Sequence, residues 1–294
     1  MIIQNNIPGI NASRNKGITE GKLKKSLEKL SSGYRINRAG DDAAGLTISE
    51  LMRSQISGLN QAMRNTQDGI GLTQTGDGAL TEVHSMLERM KTLAIQSANG
   101  TYTTQARLNL EAEKEQLLDE INRIGGTTNF DEIPLFGSDD EYLEEQIAKG
   151  APIPIITTES DSGLGDIVLQ VGHSQPETLD VPRYYISSMG LDLHEISLES
   201  VNSSNAAVKK IDDAIEAVAD VRADFGAVQN HLEHTHTNLS VTAENMTTAE
   251  SRIRDTDMAD EITEFTKNNI LYQAGSSMVA QANSVPQTIL SLLQ

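Results

Sequence analysis

The side chains best suited to chemistry are crowded into one short run, His231, Glu233, His234 and His236 around Leu232. On a helix His231 and His234, three apart, meet on one face, which is the beginning of a metal site. The spacing His-Glu-x-x-His is missing, and no other segment supplies an evident ligand cluster. The run therefore reads as surface histidines, with no metal and no catalysis. Asp139, Asp140, Glu141, Glu144 and Glu145 form a second candidate, for a cation or an acid-base pair. Nothing in their spacing holds two carboxyls across a cleft or aims several at one ion, so they read as a solvated turn. Gly69-x-Gly71 does not extend to a dinucleotide fingerprint, and no phosphate loop is present. The chain has no cysteine, which excludes disulfides, thiolate catalysis and Cys-ligated metals. These absences point to a non-enzyme that needs no cofactor.

The elements carrying these residues are long helices. Met52, Ile56, Leu59, Met63, Thr66 and Ile70 alternate in steps of four and three, and the stripe resumes at Leu80, Val83, Leu87, Met90 and Ala94. One helix from Ala43 to Ser97 would be about 80 Å long at about 1.5 Å per residue, too long for the core of a compact domain. Gly69, Gly71, Gly76 and Gly78 fall between the two stripes and predict a kink or local loosening there. Asn99-Gly100 is a stop signal, followed by a shorter helix with the stripe Leu110, Lys114, Leu117, Ile121 and Ile124, ended by Gly125-Gly126. Lys114 is expected to snorkel outward from that stripe, and the two helices to form an antiparallel pair.

From Thr127 to about Ile196 five prolines break the chain into short pieces, and Ile153 to Thr158 and Ile167 to Val171 suit short strands or hairpins. The heptad pattern returns with Val208, Ile211, Ile215 and Val218, then Val221, Phe225, Val228, Leu232, Thr235 and Leu239, broken by a three-residue stammer. Two apolar seams in distant halves of the chain predict a mainly α fold. It is a long antiparallel helical bundle or coiled coil closed by both halves, with a small β-hairpin-containing middle.

Formal net charge is −19, which disfavours nucleic acid and anionic lipid as partners. Residues 1 to 38 depart from this, with eight Lys and Arg against Glu20 and Glu28. No apolar run reaches membrane-spanning length, and no cleavable secretory signal is visible, so no membrane insertion is expected. Both ends have weak hydrophobic faces: Gly9, Gly17 and Gly21 interrupt the first, and the last 30 residues run through small and amide side chains to Ile289, Leu290, Leu292 and Leu293. Such helices are marginal alone and are expected to order against another copy of the chain.

Five stretches carry a specific resemblance. Leu30-Ser31-Ser32-Gly33-Tyr34-Arg35-Ile36-Asn37-Arg38-Ala39-Gly40-Asp41-Asp42-Ala43-Ala44-Gly45-Leu46 and Gln67-Asp68-Gly69-Ile70 resemble the N-terminal signature of bacterial flagellin. Ala249-Glu250-Ser251-Arg252-Ile253-Arg254-Asp255-Thr256-Asp257-Met258-Ala259 and Asn268-Asn269-Ile270-Leu271 are similar to its C-terminal region, as is Ala280-Gln281-Ala282-Asn283-Ser284-Val285-Pro286-Gln287. The resemblance implies a self-assembling subunit of the extracellular flagellar filament, exported unfolded by the flagellar type III apparatus. It implies an inner terminal coiled coil of residues 1–42 and 256–294, disordered in the monomer. Residues 43–126 and 197–255 would form a helical rod, and residues 127–196 a short β-containing variable region in place of a large outer domain.

Assembly is expected to rest on Ile289, Leu290, Leu292 and Leu293 with Leu27 and Leu30. The expected partners are the chain itself, an export chaperone and the export apparatus, and hook-associated junction and cap proteins. The resemblance also implies recognition of the monomer by Toll-like receptor 5, with Arg89 as anchor, Leu93 as its apolar neighbour on an exposed face, Gln96 as a polar neighbour and Glu113 as a further contact. The alternatives are a hook-filament junction protein, which shares both termini, and a non-flagellar coiled-coil scaffold.

Overall fold

The computed structural model describes residues 6–137 and 165–292. Five helices dominate them: α1 (Ile7–Ser32), α2 (Ala43–Ala98), α3 (Thr104–Thr127), α4 (Val201–Arg254) and α5 (Met258–Leu292). Among the described residues six short strands lie between α3 and α4: β1 (Asn129–Phe130), β2 (Ile133–Pro134), β3 (Phe136–Gly137), β4 (Ile167–Gln170), β5 (Thr178–Val181) and β6 (Tyr184–Tyr185). The fold is mainly α with a small β-containing middle, as the periodicity predicts. The expected strand at Ile153 to Thr158 and the acidic run from Asp139 to Glu145 lie outside the described residues. No described helix is long and apolar enough to cross a membrane.

The chain divides into two compact units, residues 1–57 with 243–294 and residues 58–242. In the first, α1 and α5 run antiparallel, with the Asn6 side chain donating to the Ala282 carbonyl at one end and Lys29 meeting Glu261 at 3.1 Å near the other. Local signals set the helix ends. Asn6 caps α1 by accepting from the Gly9 amide, and Gly33 ends it with φ +77°, a conformation glycine adopts without steric cost. Asp257 accepts from the amides of Ala259 and Asp260 and starts α5.

The linkers after α1 and after α4 are zipped together. Arg35 N donates to the Arg254 carbonyl at 2.7 Å, Thr256 N to the Gly33 carbonyl at 3.0 Å, and the Arg35 guanidinium to the Ile253 carbonyl. Arg254 lies over the Tyr34 ring and pairs with Glu50 at 2.7 Å.

In the second unit, α2, α3 and α4 enclose one core. Leu80, Val83, Leu87, Met90 and Ala94 of α2 are buried against Ile211, Ala214, Val218, Val221 and Phe225 of α4 and Leu118 and Ile121 of α3. Antiparallel pairing of α2 with α4 is recorded by Lys91–Asp212 at 2.6 Å and Asp77–Arg222 at 2.7 Å. The β segments close one end: Phe136 and Tyr184 meet Phe225 edge-on, and the Tyr184 hydroxyl donates to Asp224 at 2.6 Å. Burial, with the adjacent Asp224 carboxylate, raises the Tyr184 pKa well above the usual phenol value.

α2 runs as one unbroken helix through Gly69 to Gly78. Two of the glycines there sit in close packing: a Cβ on Gly69 would lie 2.5 Å from the Leu169 side chain and one on Gly76 3.3 Å from the Phe225 ring. Two local expectations are corrected. Gly125-Gly126 does not end α3, which runs to Thr127. Gly125 is required because a Cβ there would fall 1.9 Å from the Ile186 carbonyl oxygen. Lys114 does not snorkel outward but is buried, its ammonium donating to Glu111 at 2.6 Å and to the Ile196 carbonyl at 2.7 Å.

Candidate functional site

Two surfaces carry the residues of interest, one in each unit. On α2 the residues Ser85, Arg89, Thr92 and Gln96, spaced four, three and four, form an exposed polar strip. Arg89 reaches across to α3, where its Nε and Nη2 lie 2.8 and 2.6 Å from Glu113 Oε1. Gln96 donates to the Tyr102 hydroxyl at 2.9 Å. The Arg89–Glu113 pair is solvent-exposed on both sides and contributes about 0–1 kcal/mol to stability, so the guanidinium is held in place at little energetic gain.

Leu93 is not on this face. It is 0% exposed and belongs to the core, because α2 packs against two helices here and its apolar stripe is wider than a two-helix seam. Its role is to seat the turn of helix that carries Arg89 and Gln96. The structure thus brings Arg89, Gln96 and Glu113 to one surface, adds Thr92 and Tyr102, and places Leu93 beneath. Tyr102 follows the Asn99-Gly100 stop signal, but nothing in the spacing marks it as a partner of Gln96.

The second surface is on the α1/α5 pair. It exposes Ile7, Ile10, Ile18 and Leu27 of α1 and Ile262, Ile270, Leu271 and Met278 of α5, each at least 48% accessible. A groove of about 420 Å³ runs between the helices, lined by Ala12, Lys16 and Thr19 on one side and Leu271, Ala274 and Met278 on the other. Leu30 is half-buried. Helix α5 includes positions 289, 290 and 292, but the side chains of Ile289, Leu290 and Leu292, and Leu293 entirely, lie outside the described residues.

Charge separates the units sharply. The terminal unit holds twelve basic and twelve acidic residues, whereas residues 58–242 hold eleven basic against thirty acidic. The whole of the −19 falls on the second unit. His231 and His234 lie there, lining a shallow hollow of about 270 Å³ with Thr235, Asn238 and Leu239. Among the described residues no three His, Asp or Glu side chains are grouped to hold a metal ion.

Exposed apolar side chains on a terminal unit with no net charge, joined in sequence to an acidic three-helix unit, are the features of a surface made to meet another protein. Residues 3–139 match the bacterial flagellin N-terminal helical region and residues 208–293 the bacterial flagellin C-terminal helical region. The chain is 46% identical to a flagellin of Halalkalibacterium halodurans and 43% identical to one of Bacillus subtilis, in each case over 100% of both chains. The crystal structure of Bacillus cereus flagellin is 32% identical and covers 64% of this chain and 94% of that one, with a TM-score of 0.46. The chain belongs to the flagellin family, whose members are structural subunits of the flagellar filament.

Proposed function

We propose that this chain polymerises through its terminal helix pair, residues 1–42 with 256–294, into a filament outside the cell after export in an unfolded state by the flagellar type III apparatus. Residues 43–126 and 197–255 form the next layer, and residues 127–196 a short β-containing cap. An export chaperone and the hook-associated junction and cap proteins are its other flagellar partners.

The carrying observation is the α1/α5 pair: eight large apolar side chains are exposed on a unit with no net charge. Exposed apolar surface of this kind is stabilised by a second copy, and a neutral unit stacks without the self-repulsion that the acidic unit would impose. Electron microscopy of purified protein after addition of salt tests the reading. Long filaments are the expected result; protein that only joins or caps existing ends would favour a junction role.

The polar strip supports recognition of the free subunit by Toll-like receptor 5, with Arg89 as the anchor and Gln96 and Glu113 beside it. Arginine held over an accessible surface is a frequent binding hot spot. An Arg89→Ala chain is expected to bind the receptor ectodomain at least about tenfold more weakly, a loss of about 1.4 kcal/mol or more. Its melting temperature should be nearly unchanged, because the Arg89–Glu113 pair is exposed. Undiminished binding would reject the assignment.

A further inference from the structure

Asn99-Gly100 is the single Asn-Gly step in the sequence, and it occupies the turn between α2 and α3. Both residues are exposed, and there is open space around the position a Gly100 Cβ would take. Three donors surround the step. The Asn99 main-chain carbonyl accepts from Arg107 Nη2 at 3.2 Å and from Tyr102 N at 3.4 Å, and the Asn99 side-chain oxygen accepts from Thr101 N at 3.2 Å. Arg107 is itself anchored, its Nε donating to the Ser97 carbonyl at 3.0 Å.

We propose that Asn99 is a site of spontaneous deamidation whose reacting peptide is activated by this ring of donors. Loss of the Gly100 N–H proton to hydroxide leaves an amidate, with its negative charge shared with the Asn99 carbonyl oxygen. A guanidinium and an amide already donate to that oxygen, which favours the charged form. The Gly100 nitrogen attacks Asn99 Cγ, and the developing charge moves to Oδ1, where the Thr101 amide stands as an oxyanion donor. Absence of a Cβ at Gly100 leaves the approach open. A bond forms between the Gly100 nitrogen and Cγ, the bond from Cγ to Nδ2 breaks, and Nδ2 departs as ammonia with a proton from water. Water then opens the resulting succinimide at either carbonyl. The sum is one asparagine and one water converted to ammonia and aspartate or iso-aspartate; no enzyme or oxidant is needed.

The product has consequences for the fold. A carboxylate at position 99 sits just beyond the C-terminal end of α2, where the helix dipole disfavours it and Arg107 offsets that cost. Iso-aspartate inserts a carbon into the main chain of the turn that presents Tyr102 to Gln96. Asn202-Ser203 and Asn283-Ser284 lack this arrangement: both lie in helices, and the Ser203 amide is taken up by Ser200 Oγ at 3.1 Å.

The test is incubation of the full-length chain at body temperature and mildly alkaline pH, followed by tryptic mapping. Cleavage after Lys91 and Arg107 isolates residues 92–107, or residues 92–114 in the Arg107→Met chain, where Lys114 is the next cleavage site. That peptide is expected to convert with time into two heavier isomers, aspartate and iso-aspartate, while the peptides carrying Asn202 and Asn283 stay intact. Gly100→Ala should slow conversion many-fold. Arg107→Met should move the rise of rate with pH to more alkaline values, a shift that a merely structural role would not produce. Conversion of Asn202 or Asn283 ahead of Asn99, or an unchanged rate in Gly100→Ala, overturns the site. An unmoved pH profile in Arg107→Met, with the turn shown folded by circular dichroism and melting, overturns the activation by donors.

Discussion

A chain ended at Thr288, without Ile289 to Gln294, is expected to keep its helical body folded and to lose filament growth altogether. The six residues removed include Ile289, Leu290, Leu292 and Leu293, the densest apolar group of the terminal unit. Among the described residues α1 and α5 share few buried side chains, and large apolar ones are exposed on both. Burying a large apolar side chain contributes about 1.5–3 kcal/mol, so in the proposed assembly removing these four withdraws several kcal/mol from each step of growth. Since about 1.4 kcal/mol is tenfold in an equilibrium constant, the concentration needed for polymerisation rises by orders of magnitude. The core of residues 58–242 contains none of the deleted residues. Circular dichroism and melting should therefore report a folded chain, while electron microscopy after salt addition should show no filaments. Normal filaments would mean that assembly does not depend on this end.

The long seams were legible because their physics is one-dimensional. Steps of three and four along α2 and α4 identify the buried stripes without reference to anything distant, and Leu80, Val83, Leu87, Met90, Ile211, Val218 and Phe225 are all in the core. Leu93 and Leu118 were missed for a common reason. Each is buried because three helices meet there, and a heptad pattern describes only the contact of two. Gly69 and Gly76 were read as weak points from helix propensity alone, which is blind to their close packing against Leu169 and Phe225, distant in sequence.

The middle region divides the same way. β4 at Ile167–Gln170 is visible as a β-branched run, whereas the parallel pairing of Phe136 with Tyr184 joins two-residue segments too short to announce themselves. For the candidate site, the Arg89–Glu113 contact follows from an antiparallel α2/α3 pair, but the burial of Leu93 beneath it does not.

Lys114 shows how a charged residue comes to occupy an apolar stripe, and it carries the largest expected stability effect. The ammonium and the Glu111 carboxylate are both sequestered, with side chains 5% and 15% accessible. Glu111 does two jobs, pairing with Lys114 at 2.6 Å and accepting from the Leu198 amide at 2.7 Å. Lys114 in turn donates to the Ile196 carbonyl, so the pair fastens residues 196–198 to α3 just before α4 begins. Glu111→Ala leaves a buried ammonium without its counter-charge and the Leu198 amide without its acceptor. Breaking a buried pair from one side costs about 3–5 kcal/mol. The Glu111→Ala chain should therefore unfold at markedly lower denaturant concentration. The double substitution Glu111→Leu with Lys114→Met removes both charges together and should recover part of that loss, because matched apolar replacement of a buried ion pair is often close to neutral. Recovery will be incomplete to the extent that the Leu198 amide and the Ile196 carbonyl lose partners, at about 1–3 kcal/mol for each buried polar group left unpaired. A double variant no more stable than Glu111→Ala would show that the hydrogen bonds to residues 196–198, and not the charge pair, hold this segment to α3.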